Sequence, residues 1–474
     1  MLTRSKSILA FLEDHCRIKS QGKQSASPHA KPTNVHIPSL HSPVGLVFAN
    51  GGAFILTDGL IGTPHLLKEE LHHVRHRLNT LESLQAHSSS LPSVISCSMY
   101  TMLLYIVLAA LPLVPALIVS RPNGTYSVGT QITEFVDDSR FINGTHRRIM
   151  TTSFFPTGYH SDCLPYLIPY MPKLTADYNA VTWSQLLGTT IPNATLEQLQ
   201  LQVCNSTCGD RRFRDRAWPL TLFSPGLGAS RQLYNALAEQ LAAKGYIVVT
   251  IDTPLQASIV EYTDGSFVLG TDLITNPQPE VALPDRVKDI ILVKNKVLTG
   301  VGVPSSVKPD ASRIAAWGHS FGGAAAAQVS LEDPSFKAGI NFDGTLFGSV
   351  VTSGLKQPFL IFSHAGELLN ETINSWNSFL QASPKFDKLE LSLNGSVHNT
   401  FSDAPLLADL AGLDELPGVG AALGTLNGRR VLVILAAYTD AFFKFAFHGA
   451  TKVPELLKGP SASFPEVDFV VDLP

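Results

Sequence analysis

Short apolar runs recur along the C-terminal part of the chain, separated by polar turns rich in Gly and Pro. Pro219-Leu220-Thr221-Leu222-Phe223 and Tyr246-Ile247-Val248-Val249-Thr250-Ile251-Asp252 each predict a buried strand, and Arg231 to Lys244 between them predicts a helix. Strand, helix and parallel strand in succession make a βαβ unit. Arg313-Ile314-Ala315-Ala316-Trp317 predicts another strand, and Ala324 to Leu331 a strong helix. Lys337 to Phe342, Pro358 to Ser363 and the alternating Leu389 to Leu393 predict further strands. Residues 255–310 are expected to supply a helix and a pocket wall. The late run Val431 to Phe447 is apolar nearly all round. It predicts a buried helix covering the sheet, because Asp440 and Lys444 interrupt it as a membrane span. The class is α/β, with a mostly parallel central sheet and helices on both faces.

Between the 313–317 strand and the 324–331 helix lies Gly318-His319-Ser320-Phe321-Gly322. This is the G-x-S-x-G elbow, and strand, sharp turn, helix is the context that gives it meaning. Ser320 would project its hydroxyl at a helix N-terminus, where backbone N–H groups favour developing negative charge. A serine needs a base, and the base needs an orienting acid. In chain order these follow the serine as acid, then His. His398, in the loop after a late strand, is the expected base. His364 follows its strand too closely for that role, and His319 is expected to be a wall residue. The pattern leaves two acids open: Asp343, after the strand beside the nucleophile strand, and Glu367, after the next one. The oxyanion hole needs the N–H after the nucleophile, from Phe321, and one from the loop Ser224-Pro225-Gly226-Leu227-Gly228.

Several segments taken together resemble the secreted platelet-activating-factor acetylhydrolase family, a branch of the α/β-hydrolases. They are Phe223-Ser224-Pro225-Gly226-Leu227-Gly228, the GHSFGG elbow, Asn341-Phe342-Asp343, and the loop Gly395-Ser396-Val397-His398-Asn399-Thr400-Phe401-Ser402-Asp403. Pro122 to Gly129 resembles the start of the family's mature domain, and Ser153-Phe154-Phe155-Pro156 resembles the early strand that follows it. The resemblance implies an α/β-hydrolase fold, Asp343 as the acid, and Leu227 and Phe321 as oxyanion donors. It also implies a calcium-independent esterase that removes short or oxidised sn-2 acyl groups from phospholipids. The chain departs from the family at Pro225, where the family carries a histidine. It departs again at Asp252-Thr253-Pro254, where the family carries His-Arg-Asp. Both departures line the approach to the site and bear on acyl and head-group preference.

The N-terminal part differs in character. Residues 1–98 are rich in Ser, His, Pro and Leu and are expected to be disordered or a gene-model extension, with residues 17–45 a disordered tail. His72, His73 and His76 fall near metal-ligand spacing, but their charged neighbours point to a solvated face. Residues 99–120 contain an uncharged apolar run from Met102 to Val119, broken by Pro112 and Pro115. This is expected to be a secretory signal cleaved near Ala116 or Ser120, the alternative being a type II signal anchor. Residues 121–474 are then the catalytic domain. Sequons at Asn123, Asn143, Asn193, Asn205, Asn370 and Asn394 all follow the apolar run, as in an exported glycoprotein. Cys163, Cys204 and Cys208 allow at most one disulfide among them, either Cys204–Cys208 or Cys163 with either one.

A net charge of −4 offers no basic face for nucleic acid. Gly418-Val419-Gly420 with Gly424 has no strand before it, and a flexible surface turn is expected there rather than a dinucleotide loop. Cys163 to Pro172 is apolar and proline-broken, suited to a packed loop, a pocket rim or a lipid contact. No cofactor and no metal is expected. The expected substrate is an ester lipid at a membrane or lipid-particle surface. The alternatives are a carboxylesterase acting on a cutin-like polyester or small aromatic ester, and a non-catalytic binding module, which would have lost Ser320 or His398.

Overall fold

The computed structural model describes residues 44–49, 52–57, 117–159, 165–192, 194–205, 216–271, 278–384, 387–448 and 453–473. The chain divides into two compact units, Met1–Val114 and Pro115–Pro474. In the first, Val44–Ala49 pairs antiparallel with Gly52–Thr57. The intervening Asn50-Gly51 in the sequence is a strong hairpin signal between two apolar runs. His72, His73 and His76 lie outside the described residues.

The second unit is built on a nine-stranded sheet. Its strands are β1 (Tyr126–Ile142), β2 (Thr145–Tyr159), β3 (Ala217–Ser224), β4 (Ile247–Ile251) and β5 (Lys308–His319). They continue with β6 (Phe336–Phe342), β7 (Phe359–His364), β8 (Lys388–Leu393) and β9 (Val467–Val471). The spatial order is β9-β8-β7-β6-β5-β3-β4-β2-β1. Strands β4, β3, β5, β6, β7 and β8 run parallel, and β9, β2 and β1 join antiparallel at the edges. The predicted strands of the parallel centre are all present.

Alternation along the strands divides the core into two layers, since successive side chains point to opposite faces. Ile314 and Ala316 of β5 enter one layer, with Phe359 and Ile361 of β7. Ala315 and Trp317 enter the other, with Leu360 and Phe362. Helices α1 (Lys173–Leu187), α2 (Asn235–Ala242), α6 (Ala404–Ala411) and α7 (Gly428–His448) contribute to the Trp317 layer. Helices α3 (Pro279–Leu298), α4 (Phe321–Glu332) and α5 (Asn370–Ala382) cover the opposite face. This is the α/β-hydrolase arrangement, a mixed sheet with helices on both sides. Helix α4 carries Ala324 to Ala327 fully buried, which only small side chains pressed against the sheet allow.

The stretch Val419–His448 is long and apolar enough to cross a membrane, yet 67% of its most apolar window is buried inside the protein. It is a core helix: Asp440 is satisfied by Lys444 at 2.8 Å and by the Tyr246 hydroxyl at 3.0 Å.

Leu117–Val119 forms a small three-stranded sheet with Leu199–Cys204 and Pro165–Pro169. The end of the apolar run is thus part of the folded unit, and Val119 is buried. Residues 102–116 of that run lie outside the described residues. The proline-broken segment is a strand whose Tyr166 and Leu167 are exposed, whereas Tyr170 and Met171 are buried. Cys204 is buried with a free thiol, and Cys163 and Cys208 lie outside the described residues.

Candidate active site

The elbow forms where β5 ends and α4 begins. Ser320 sits there at φ 57°, ψ −127°, a backbone conformation that a non-glycine residue adopts only under strain. Its neighbours must be small. A Cβ on Gly322 would lie 1.9 Å from the carbonyl oxygen of Ser224, and one on Gly318 would lie 2.4 Å from the backbone of Gly322. The strain is held by main-chain bonds, from the Ser320 N–H to Phe342 O at 2.7 Å and from the Gly323 N–H to Ser320 O at 2.8 Å.

Ser320, Asp343 and His398 follow three different strands, β5, β6 and β8, and meet beyond the C-terminal ends of the parallel strands. His398 Nε2 lies 2.9 Å from Ser320 Oγ. His398 Nδ1 lies 2.6 Å from Asp343 Oδ2. A carboxylate only accepts, so Nδ1 carries the proton and Nε2 is free to take one from the serine. Burial pushes the Asp343 carboxyl up, but bonds from His364 and His398 outweigh it and hold its pKa at about 2. Asp343 therefore stays ionised. Glu367, the other acid open from the pattern, makes no hydrogen bond to His398 among the described residues: it is exposed in the wall of the cavity that Ser320, Asp343 and His398 also line. The reason is position, since β6 lies beside β5, whose end carries Ser320, and β7 is one strand further out. His364, at the end of β7, instead places Nδ1 2.7 Å from Asp343 Oδ2.

The loop after β3 supplies backbone donors opposite the elbow. The Gly226 N–H donates to the Tyr234 hydroxyl at 3.3 Å, and the Gly228 N–H to Gln256 O at 2.8 Å. Among the described residues, the Leu227 N–H between them has no backbone acceptor. Phe321 opens α4, so its N–H has no intrahelical partner either. Both Leu227 and Phe321 line the cavity beside Ser320. Arg286 of α3 braces the loop from behind. Its guanidinium donates to Ser224 Oγ at 3.1 Å, to the Pro225 carbonyl, and to Gln256 Oε1 at 2.9 Å. It also lies 5.1 Å from the centre of the Phe321 ring. Asp252 is buried and paired with Arg231, to whose main-chain N–H it is bonded at 2.6 Å. Pro225, Asp252, Thr253 and Pro254 are all buried, so these departures from the family pattern lie in the scaffold of the loop and do not line the approach to the site as expected.

His319 is buried. Desolvation, with His398 close by, lowers its pKa to about 3, so the ring is neutral. Its Nε2–H donates to the His398 carbonyl at 2.9 Å, and its Nδ1 accepts from the Tyr234 hydroxyl at 2.9 Å. The loop bearing His398 has a further anchor at Asp403. That carboxylate accepts from the Tyr170 hydroxyl at 2.5 Å and from the Ala236 and Leu237 amides at 2.8 and 3.2 Å. Burial pushes its pKa up to about 7 against those bonds. The Gly418–Gly424 stretch is not a loose turn. Val419–Leu423 is helical, and Thr400 Oγ1 donates to Leu423 O at 2.8 Å, which ties it to the His398 loop. Tyr234, Arg286 and Asp403 carry no motif signal of their own. Of the three, only Asp403 lies in a segment that carries the family resemblance.

Two cavities open on either side of Ser320 and His398. One, of about 120 Å³, is lined by Trp183, Leu187, Leu233, Tyr234 and Leu423. The other, of about 380 Å³, is lined by Pro279, Phe347, His364, Glu367, Leu369 and Thr372.

The family described as platelet-activating factor acetylhydrolase, isoform II, matches residues 116–265 and 306–412. A probable 1-alkyl-2-acetylglycerophosphocholine esterase of Arthroderma benhamiae is 31% identical over 369 residues, covering 74% of this chain and 93% of the relative. A platelet-activating factor acetylhydrolase of Bos taurus is 30% identical over 217 residues, or 39% of this chain, and the match spans 48% of that relative. Among solved structures, a ferulic acid esterase from Streptomyces cinnamoneus aligns with a TM-score of 0.63 and 28% identity, covering 75% of this chain and all of the other. The chain belongs to the platelet-activating factor acetylhydrolase isoform II family and is a carboxylic ester hydrolase.

Proposed function

We propose that the protein hydrolyses short sn-2 acyl esters of phospholipids through a Ser320–His398–Asp343 triad and an acyl-enzyme. One observation carries the reading: a continuous hydrogen-bonded line from Ser320 Oγ through both nitrogens of His398 to Asp343, with spacings of 2.9 and 2.6 Å. His398 Nε2 takes the hydroxyl proton as Ser320 Oγ attacks the ester carbonyl. The Leu227 and Phe321 amides receive the oxyanion, and removing one such donor costs about 10²–10³ in rate. Asp343 stabilises the imidazolium, which then gives its proton to the leaving alcohol. Water, activated by the same histidine, releases the acid and restores the serine.

The acyl group enters the smaller cavity. Its apolar walls and volume of about 120 Å³ suit a short chain, and the larger cavity takes the glycerol leaving group. Helix α1 supports a lipid substrate at a membrane or particle surface. Leu186 at the cavity mouth is exposed, as are Tyr178 and Val181 on the same helix. Export fits the sequons: Asn123, Asn143, Asn205, Asn370 and Asn394 are all exposed, and Asn193 lies outside the described residues. The packing of Leu117–Val119 into the folded unit favours signal cleavage at Ala116 over Ser120.

The likeness to a ferulic acid esterase favours a second reading, hydrolysis of an aromatic or polyester substrate by the same residues. A panel of p-nitrophenyl esters of rising chain length, set beside an sn-2 acetyl phospholipid, separates the two. Preference for acetyl and for the phospholipid supports the first. Preference for long or aromatic acyl groups rejects it. The Ser320→Ala variant should lose covalent labelling by a fluorophosphonate, and undiminished labelling rejects the triad.

A further inference from the structure

Asp343 serves two imidazoles, and only one of them touches Ser320. His364 Nδ1 lies 2.8 Å from Asp343 Oδ1 and 2.7 Å from Oδ2. The main-chain N–H of His364 also donates to Oδ1, at 2.9 Å. A carboxylate has no proton to give, so the His364 ring donates Nδ1–H to both oxygens. His398 then takes Oδ2 from the other side at 2.6 Å. His364 Nδ1 is thus spent on the acid, and the ring makes no hydrogen bond to Ser320 among the described residues.

The acid needs such a hold. Asp343 sits at φ 56°, in the left-handed region, so its backbone does not rest in an ordinary minimum. Its own N–H is bonded to Phe362 O at 3.0 Å, which fixes the main chain but leaves the side-chain torsions free. The Asp343 side chain is 1% exposed and that of His364 is 19% exposed. Both residues line the 380 Å³ cavity, and His364 is the more exposed of the two.

We propose that His364 is a positioning residue for ester hydrolysis. It clamps the Asp343 carboxylate in the rotamer that meets His398, and so acts on the base through the acid. The inference rests on the reading of Asp343 as the acid of the triad. Sequence order points away from His364 because it follows its strand too closely to serve as base. That same closeness puts it level with Asp343 at the end of the neighbouring strand.

The test uses the full chain and p-nitrophenyl acetate. His364→Ala should lower kcat about 10- to 100-fold, the scale of a misplaced catalytic group, while KM stays within about twofold. His364→Asn places an amide N–H near the position of Nδ1 and should recover most of the lost kcat. On an Asp343→Ala background, His364→Ala should cost nothing more. Unchanged kcat in His364→Ala overturns the proposal. So do equal losses in the Ala and Asn variants, and so does an undiminished loss on the Asp343→Ala background. If Asp343→Ala alone retains full kcat, the acid assignment itself falls, which separates failure of the triad reading from failure of the clamp.

Discussion

The hydroxyl of Tyr234 lies 2.9 Å from Nδ1 of His319 and ties the two walls of the active site together. On one side it accepts from Gly226 in the loop after β3, and on the other His319 donates to the main chain of His398. The chain of bonds requires a neutral His319, which its burial ensures. Tyr234→Phe leaves the Gly226 N–H and His319 Nδ1 buried without that partner. The expected cost is about 1–3 kcal/mol, read as a lower midpoint in urea unfolding. Fluorophosphonate labelling should slow in parallel. A variant with wild-type midpoint and labelling rate would refute the relay.

The two acids differ in what they touch. Asp343→Asn offers a donor or a poor acceptor where His398 needs a carboxylate, and kcat should fall by up to about 10⁴. Glu367→Gln changes an exposed side chain off the bonded line, and the effect should stay within about 0.5 kcal/mol. Parallel kcat measurements on one ester decide between them.

Asp403 anchors the loop that carries His398. Asp403→Ala removes the acceptor of the Tyr170 hydroxyl and of two amides at the start of α2. With several buried donors orphaned at about 1–3 kcal/mol each, the thermal midpoint should drop by many degrees. Asp403→Asn, which keeps one carbonyl oxygen, should fall between Ala and wild type in calorimetry.

Asp343 also links stability to acid. Its folded pKa of about 2 lies below the ordinary value of 3.8. The folded state thus binds the proton more weakly than the unfolded chain. The resulting stability, about 2 kcal/mol, is fully present above pH ~4 and lost as pH falls through about 2. Asp343→Ala should flatten this part of the stability–pH curve. Denaturant titrations from about pH 5 down to about pH 2 read the difference in slope.

Much of the site could be read along the chain. Gly318-His319-Ser320-Phe321-Gly322 is local chemistry, because a tight strand-to-helix turn needs small residues at fixed offsets from the serine. The strands of the parallel centre were legible as short apolar runs, since burial on both faces removes polar residues from them. Less legible were parts whose signal is not periodic. The Val44–Thr57 hairpin rests on a turn signal, and Val419–Leu423 is helical because the His398 loop bonds to its carbonyls.

The sequence by itself determined the elbow, since a strand-to-helix turn depends on neighbours within a few residues, and the succession of apolar runs made the fold class and the chain order of serine, acid and histidine legible. The run of strands left two acids open, the resemblance implied Asp343, and the tertiary structure shows why Asp343 is the one that meets His398. Asp343 and Glu367 end adjacent strands, and only the sheet order puts one of them within 2.6 Å of the imidazole. Only the tertiary structure brings in His364, Tyr234 and Arg286. A hydrogen bond between residues dozens of positions apart leaves no periodic trace in the chain that forms it.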